Sequence, residues 1–198
     1  MRRTKALLPV GGTPLVVRAT LSAMAVARDV VVVSRGAPAA EIAAVLPDGP
    51  RIVRDRFRIR TPLVGLLAGT SALRNPQILV VACDLPFLRP ALLRSLFRSG
   101  RGHDAVIPRW PDGRIEPLLA VYRRVALQAA VRTSLAAGER SNQEMLARIR
   151  AVRFVPVRDL RAFDPGLRSF VNVNTPQDLA RARRLAEPTR PAVRRRTR

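Results

Sequence analysis

The sequence predicts an α/β fold, a mostly parallel sheet with helices on both faces, and three observations carry that prediction. Short apolar runs rich in β-branched residues alternate with stretches of helical spacing along the whole chain. Those runs lack the in–out alternation of half-exposed strands, as expected where both faces are covered. Proline recurs where a helix would open, at Pro14, Pro62, Pro90 and Pro176.

Taken in order, residues 14–27 have helical spacing and lead into Asp29-Val-Val-Val-Val-Ser34, a short buried strand. Residues 51–54 form a second strand and residues 62–73 a helix. Gln77-Ile-Leu-Val-Val-Ala82 is the strongest strand of the chain and ends in Cys83-Asp84-Leu85-Pro86. Arg89-Pro90 opens a helix to about Arg98. Two strands follow, at residues 104–107 and 117–122, then an Ala-rich helix to Ala137. Residues 142–149 are a short helix and 152–156 a late strand. Phe170-Val-Asn-Val-Asn174 reads as a strand ahead of a final helix from Pro176 to about Ala186, with Thr175 as its N-cap and Asp178 in the capping-box place. Residues 1–187 make one domain without internal repeats. The Pro/Arg-rich tail 188–198 has too little apolar surface to bury and is expected to be disordered.

A chain of 198 residues, 47% apolar, suits a single domain with a full core. It has no apolar run of membrane-spanning length and no leader pattern, so the expectation is a soluble, cytoplasmic protein. One cysteine, Cys83, rules out an intrachain disulfide framework and fits a reducing compartment. The single histidine, His103, sits in a Gly-Arg-Gly-His-Asp turn, which argues against a His-based zinc site and a Ser-His-Asp triad. What remains is carboxylates, a hard metal, lysine and arginine, the means of phosphoryl and nucleotidyl transfer. The net charge of +22 comes from basic residues spread along the chain, with 4% aromatic residues and no interleaving of rings with arginine. No specific nucleic-acid site is expected from that pattern, although anionic substrates are attracted.

Several residues could carry chemistry. Lys5 is the only lysine among 36 basic residues and stands in front of Ala-Leu-Leu-Pro-Val-Gly-Gly-Thr-Pro-Leu15. Asp84 ends the most apolar strand, at the edge where open parallel sheets bind ligands, and a carboxylate there can hold one Mg²⁺ with substrate phosphates or, alternatively, brace the loop. Asn172 and Asn174 alternate on one strand, and polar groups there need partners. Asp55 follows a strand and could accept from a guanine edge or pair with Arg54, Arg56 or Arg58. Ser34 is a weaker nucleotide contact. Glu116 could brace the substrate side. Cys83, His103 and Trp110 read as strand-end, turn and partly buried residues, and Thr175 and Asp178 as capping.

Lys5-Ala-Leu-Leu-Pro-Val-Gly-Gly-Thr-Pro-Leu15, Thr61-Pro-Leu-Val-Gly-Leu-Leu-Ala-Gly69, Cys83-Asp-Leu-Pro86, Glu116-Pro-Leu-Leu-Ala-Val-Tyr122 and Asn172-Val-Asn-Thr-Pro-Gln-Asp-Leu179 follow one another as in the molybdenum cofactor guanylyltransferases. The resemblance runs from Met1 to about Leu185. It implies a three-layer, mostly parallel Rossmann-like nucleotidyltransferase sheet and transfer of GMP from GTP to molybdopterin. It also implies Mg²⁺ on Asp84, charge neutralisation by Lys5, nucleotide contacts from Ser34 and Asp55, and Asn172 and Asn174 towards the pterin. The partners implied are GTP, the molybdopterin cofactor and, beyond these, molybdoenzyme chaperones or other cofactor-biosynthesis proteins. The family pattern places a strand and a glycine-rich phosphate loop ahead of the lysine, with Gly and Asp where this chain has Arg2 and Thr4. Against that pattern the N-terminal strand and loop are expected to be missing from this chain. Two expectations compete: a native protein longer by about a strand and a loop, or a truncated homologue that binds without transfer. A cytidylyltransferase for the same cofactor, another NTP-transferase and a basic nucleic-acid binder are the remaining alternatives.

Overall fold

The structure, a computed structural model, describes residues 4–35, 39–55 and 59–187; the tail predicted to be disordered lies outside them. A 3₁₀ turn at Lys5–Leu7 leads into a small hairpin, β1 (Pro9–Val10) and β2 (Thr13–Pro14). Its two-residue loop is Gly11-Gly12, with φ of +57° and +76°, the left-handed pair that a tight hairpin turn requires. Pro14 then caps α1 (Leu15–Met24) from outside the helix.

The parallel pair β3 (Val31–Arg35) and β4 (Arg51–Asp55) flanks the short helix α2 (Ala39–Ala43). Helix α3 (Pro62–Ala72) is started by Thr61, whose hydroxyl accepts from Leu63 N at 3.2 Å and donates to Arg140 O at 2.6 Å. A second sheet contains β5 (Gln77–Val81), β6 (Ala105–Arg109), β7 (Leu119–Arg123) and β8 (Val152–Pro156) in the order β5-β7-β6-β8. Strand β7 runs antiparallel to both β5 and β6, and β6 is parallel to β8, so pairing in this sheet is mixed. Helices α4 (Pro90–Ser99), α5 (Arg124–Ala136), α6 (Asn142–Ala147) and α7 (Pro176–Ala186) complete the described chain.

Period-two alternation on the central strands sorts their side chains into two cores. Ala105, Ile107, Ala120 and Tyr122 face α3, α5 and α6, where they meet Leu63, Leu127, Val131 and Met145. Val106, Leu119 and Val121 face the other way, onto Ala19 of α1 and Leu92, Leu93 and Leu96 of α4. The result is three layers, helix on sheet on helix. Burying each of these leucines contributes about 1.5–3 kcal/mol. A third, small cluster of Val10, Leu15, Val173 and Ala182 seats α7 against the hairpin. No helix among the described residues is long and apolar enough to cross a membrane.

The segment read as a strand at residues 170–174 is instead a 3₁₀ turn (Arg168–Phe170) followed by extended chain. Its ladder consists of one bond, Val173 N to Asp84 O at 3.0 Å, too few for a strand. The start of the segment is fixed by Asp164, which is fully buried. Asp164 accepts from Ser169 N at 2.7 Å and faces Arg89 Nε at 3.3 Å, while Ser169 Oγ accepts from Arg89 N at 3.0 Å.

Among the described residues the β3–β4 pair and the four-stranded sheet are not joined. Between β3 and β5 lies a slot of about 600 Å³, walled by Val31, Val32 and Val33 on one side and Leu79, Val80 and Val81 on the other. Val16, Ala19 and Ala23 of α1 and Gly65, Leu66 and Gly69 of α3 also line it. The six strand residues that wall it are only half-buried, unlike those of β6 and β7.

Candidate active site

The carboxyl end of β5 gathers three of the residues singled out from the sequence. Lys5 Nζ donates to Asp84 Oδ2 at 2.7 Å and to Asn174 Oδ1 at 2.7 Å. Each residue arrives on a different element: Lys5 on the first 3₁₀ turn, Asp84 just past β5, Asn174 in the extended chain before α7. The only lysine of the chain is thereby held between an acid 79 positions away and an amide 169 positions away. The Lys5 side chain is 41% exposed and that of Asp84 18%, so the cluster opens to solvent on the lysine side.

Asp84 uses only half of its carboxylate. Oδ2 takes the lysine, whereas Oδ1 is buried and has no hydrogen-bond partner among the described residues. A carboxylate oxygen left in that state is costly unless a further cation or donor reaches it. Among the described residues no group of three or more His, Cys, Asp or Glu comes together, so a cage built from protein alone is absent. One carboxylate with a spare oxygen fits Mg²⁺, which keeps waters and takes its remaining ligands from phosphates.

Asn174 is placed by the cap of α7. Thr175 Oγ1 accepts from Asp178 N at 3.1 Å, and Asp178 Oδ2 accepts from Thr175 N at 2.8 Å and Asn174 N at 3.0 Å. Those backbone donors, Thr175 first, hold the Asp178 carboxyl below the usual carboxylate range. The capping reading of Thr175 and Asp178 is therefore observed. Asn172 and Asn174 are both exposed and alternate with the buried Val173, which puts them on one face of the extended chain.

Ser34 and Asp55 are not part of this cluster. Ser34 is the penultimate residue of β3 and Asp55 the last of β4, on the far side of the slot, where Ser34 is 4% exposed and pairs in register with Arg54. Glu116 does brace a side chain: Trp110 Nε1 donates to its Oε1 at 2.7 Å. The indole also packs edge-to-face on Phe170, with ring centroids 5.3 Å apart. Trp110 follows β6, which runs parallel to β5, as two strands each antiparallel to β7 must. The aromatic pair therefore stands at the same end of the sheet as Asp84. Nothing in the spacing of Trp110, Glu116 and Phe170 announces that meeting. Cys83, beside Asp84, is exposed, and its thiol is pushed up, first by the protein packed around it and then by the Asp84 carboxylate. A thiol held protonated in this way is a poor nucleophile. The His103 ring meets Arg101 O at 2.9 Å, within its turn.

Comparison with known proteins identifies the family. The profile of the MobA-like NTP transferase domain matches residues 1–152. A probable molybdenum cofactor guanylyltransferase of Natronomonas pharaonis is 37% identical over 181 residues, covering 90% of this chain and 88% of that protein. Another, of Methanosarcina mazei, is 40% identical over 132 residues, which are 65% of this chain but only 57% of the relative's length. Among solved structures, molybdopterin-guanine dinucleotide biosynthesis protein A of Archaeoglobus fulgidus superposes with a TM-score of 0.78 at 29% identity, covering 91% of this chain and 89% of that one. A cytidylyltransferase of Thermus thermophilus shares the fold at a TM-score of 0.68 and 21% identity. With the fold, the lysine–aspartate pair at the strand end and a profile match over most of its length, the chain belongs to the MobA-like NTP transferase family and is a nucleotidyltransferase by kind.

Proposed function

We propose that the protein transfers GMP from GTP to molybdenum-molybdopterin, giving the guanine dinucleotide form of the cofactor and pyrophosphate. The observation that carries this reading is the Lys5–Asp84–Asn174 cluster, one ammonium between a half-used carboxylate and an amide at the carboxyl end of β5. In the reaction a terminal phosphate oxygen of molybdopterin attacks the α-phosphorus of GTP. The bond from that phosphorus to the β-phosphate bridge breaks, and the electron pair leaves with pyrophosphate.

Each residue has a part in this scheme. Lys5 lies at the mouth of the site and neutralises charge growing on the transferring phosphoryl group. Asp84 would hold Mg²⁺ through its unpartnered Oδ1, and the ion would supply Lewis-acid neutralisation of the nucleotide phosphates. Asp55 accepts from the N1–H and N2–H of guanine, and Ser34 is a further nucleotide contact. Asn172 and Asn174 turn their amides towards the pterin acceptor. Support for the guanine and pterin assignments comes from the names of the relatives and the order of motifs along the chain.

The test offers GTP, CTP and ATP in competition, with molybdenum-molybdopterin as acceptor, and reads the dinucleotide product and pyrophosphate. A guanine dinucleotide formed only with Mg²⁺ is the expected result. A cytosine product would move the assignment to a cytidylyltransferase. Pterin binding without incorporation of any nucleotide would make the protein a carrier instead.

A further inference from the structure

One piece of chain crosses the carboxyl end of the four-stranded sheet. Phe170 meets Trp110 just past β6, Val173 N donates to the carbonyl of Asp84 just past β5, and Asn174 meets Lys5. From Phe170 to Asn174 the crossing spans at most about 14 Å. One end of it carries the ammonium and the carboxylate suited to a phosphate. The other carries the only tryptophan of a chain with 4% aromatic residues. A molecule laid along the crossing meets charge at one end and rings at the other.

Trp110 is held as a fixed plane. It opens a tight turn, in which Trp110 N donates to Arg114 O at 2.8 Å and Gly113 N, at a φ of +87°, donates to Trp110 O at 3.0 Å. Glu116 accepts the indole N–H, and Phe170, itself packed on the core beneath α4, stands edge-to-face against the ring. The plainer account of such an indole is that it seals the end of the core. Its cover argues otherwise. The Arg114 guanidinium lies over the ring, 5.2 Å from its centroid, on a side chain that is 68% exposed and paired with Asp112 of the same turn at 2.7 Å. A guanidinium on a ring at an exposed site is weakly held. A planar heterocycle makes the same contact over a larger area, so it can take the place of the cation.

We propose that Trp110, backed by Phe170 and held by Glu116, is the platform on which the heterocycle of the acceptor stacks, on the face that Arg114 now covers. The phosphate of the same molecule then lies towards Lys5 and Asp84, with Asn172 between the two ends. The inference rests on the reading of the acceptor as molybdopterin, which carries its pterin at one end and its phosphate at the other. It adds to that reading the side chain that selects a flat ring.

The experiment measures equilibrium dialysis of molybdenum-molybdopterin, and of 6-hydroxymethylpterin, which has the ring without the phosphate. Acrylamide quenching of the single tryptophan is followed alongside. Trp110→Leu keeps an apolar side chain against Phe170 and removes the π face, whereas Trp110→Phe keeps a ring. Stacking on an aromatic side chain carries roughly 5- to 150-fold in affinity, so W110L is expected to weaken both ligands by that factor and W110F to recover most of it. Lys5→Met weakens the phosphorylated ligand and leaves 6-hydroxymethylpterin unchanged. Arg114→Ala, which clears the indole face, weakens neither. In the unaltered protein either ligand shields Trp110 from acrylamide, a result that needs no variant to fold. The proposal is overturned if molybdenum-molybdopterin binds while Trp110 stays open to acrylamide, or if W110L keeps the parent affinity; the acceptor assignment then stands without it. Binding of neither ligand to the unaltered protein overturns both.

Discussion

Replacing Asp84 by asparagine separates the two roles open to a strand-end carboxylate, ligand for a cation or brace for a loop. The structural contribution can be bounded from the geometry. Lys5 is 41% exposed, so the 2.7 Å ion pair is screened and is worth about 0.2–1 kcal/mol. Against this stands Oδ1, buried and unbonded, whose desolvation is of the same order, about 1–3 kcal/mol. The two oppose one another, and asparagine still offers Lys5 an acceptor. For a chain of this size about 1 kcal/mol moves Tm by about 2–4 °C, so D84N is expected to melt within about 4 °C of the parent. Turnover is a different matter. Losing one positioned group that meets developing charge typically removes about 100- to 1000-fold in rate, near 3–4 kcal/mol of barrier. The paired assay is a calorimetric melt and Mg²⁺-titrated pyrophosphate release from GTP. Wild-type turnover at every Mg²⁺ concentration would remove Asp84 from the chemistry. A Tm lower by about 10 °C or more would show it to be a brace.

Four further expectations concern stability. Thr175→Ala loses the side-chain half of the α7 cap and is expected to cost about 1 kcal/mol, read as a Tm lower by about 2–4 °C. Asp178 has a folded pKa below its unfolded value, so its contribution is present above the unfolded value and is lost as pH falls through the folded one. Accordingly, the Tm difference between the parent and D178N shrinks in acid, as melts across that range will show. Tyr122, the only tyrosine, is 1% exposed and donates to Pro117 O at 2.8 Å, and burial pushes its phenol well above the usual value of 10.0. The folded protein therefore shows no tyrosinate absorbance near pH 10–11, and stability falls as pH rises there because only the unfolded chain ionises. Leu96→Ala, fully buried between α4 and the sheet, is expected to cost about 2–5 kcal/mol in chemical denaturation.

The layered α/β architecture is legible because its signals are local. Proline at the first turn of α3, α4 and α7 and β-branched runs at β3 and β5 mark elements wherever they occur. The direction of β7 is not local. Leu119-Ala-Val-Tyr is buried on both faces and reads the same whether its neighbours run with it or against it. Residues 170–174 mislead for a related reason, since alternating Val and Asn looks like a strand although the only ladder available is the end of β5. Helix α2, five residues long, is too short to show a period. At the site, Lys5 stands out by rarity and Asp84 by position, and the structure bonds them directly, with Asn174 as a second partner of the lysine. Ser34 and Asp55 stay across the slot, a separation that depends on sheet order and so is invisible to spacing.

The short stretch bearing Asn172 and Asn174 is clamped at both ends. Upstream, Ser169 is held by buried Asp164 and by the backbone of Arg89; downstream, Thr175 and Asp178 close on one another. Val173 is pinned between them to the carbonyl of Asp84. Two flexible amides on a free loop would each have to be ordered when an acceptor arrives, at about 0.5–1.5 kcal/mol per side chain and more for the backbone. Here the backbone part of that entropy is lost once, at folding, and is spent in the same act that builds the core. With the acceptor placed at Asn172 and Asn174 as proposed, its recognition is prepared by residues that do not themselves carry the amides, and loosening either clamp is expected to weaken acceptor binding.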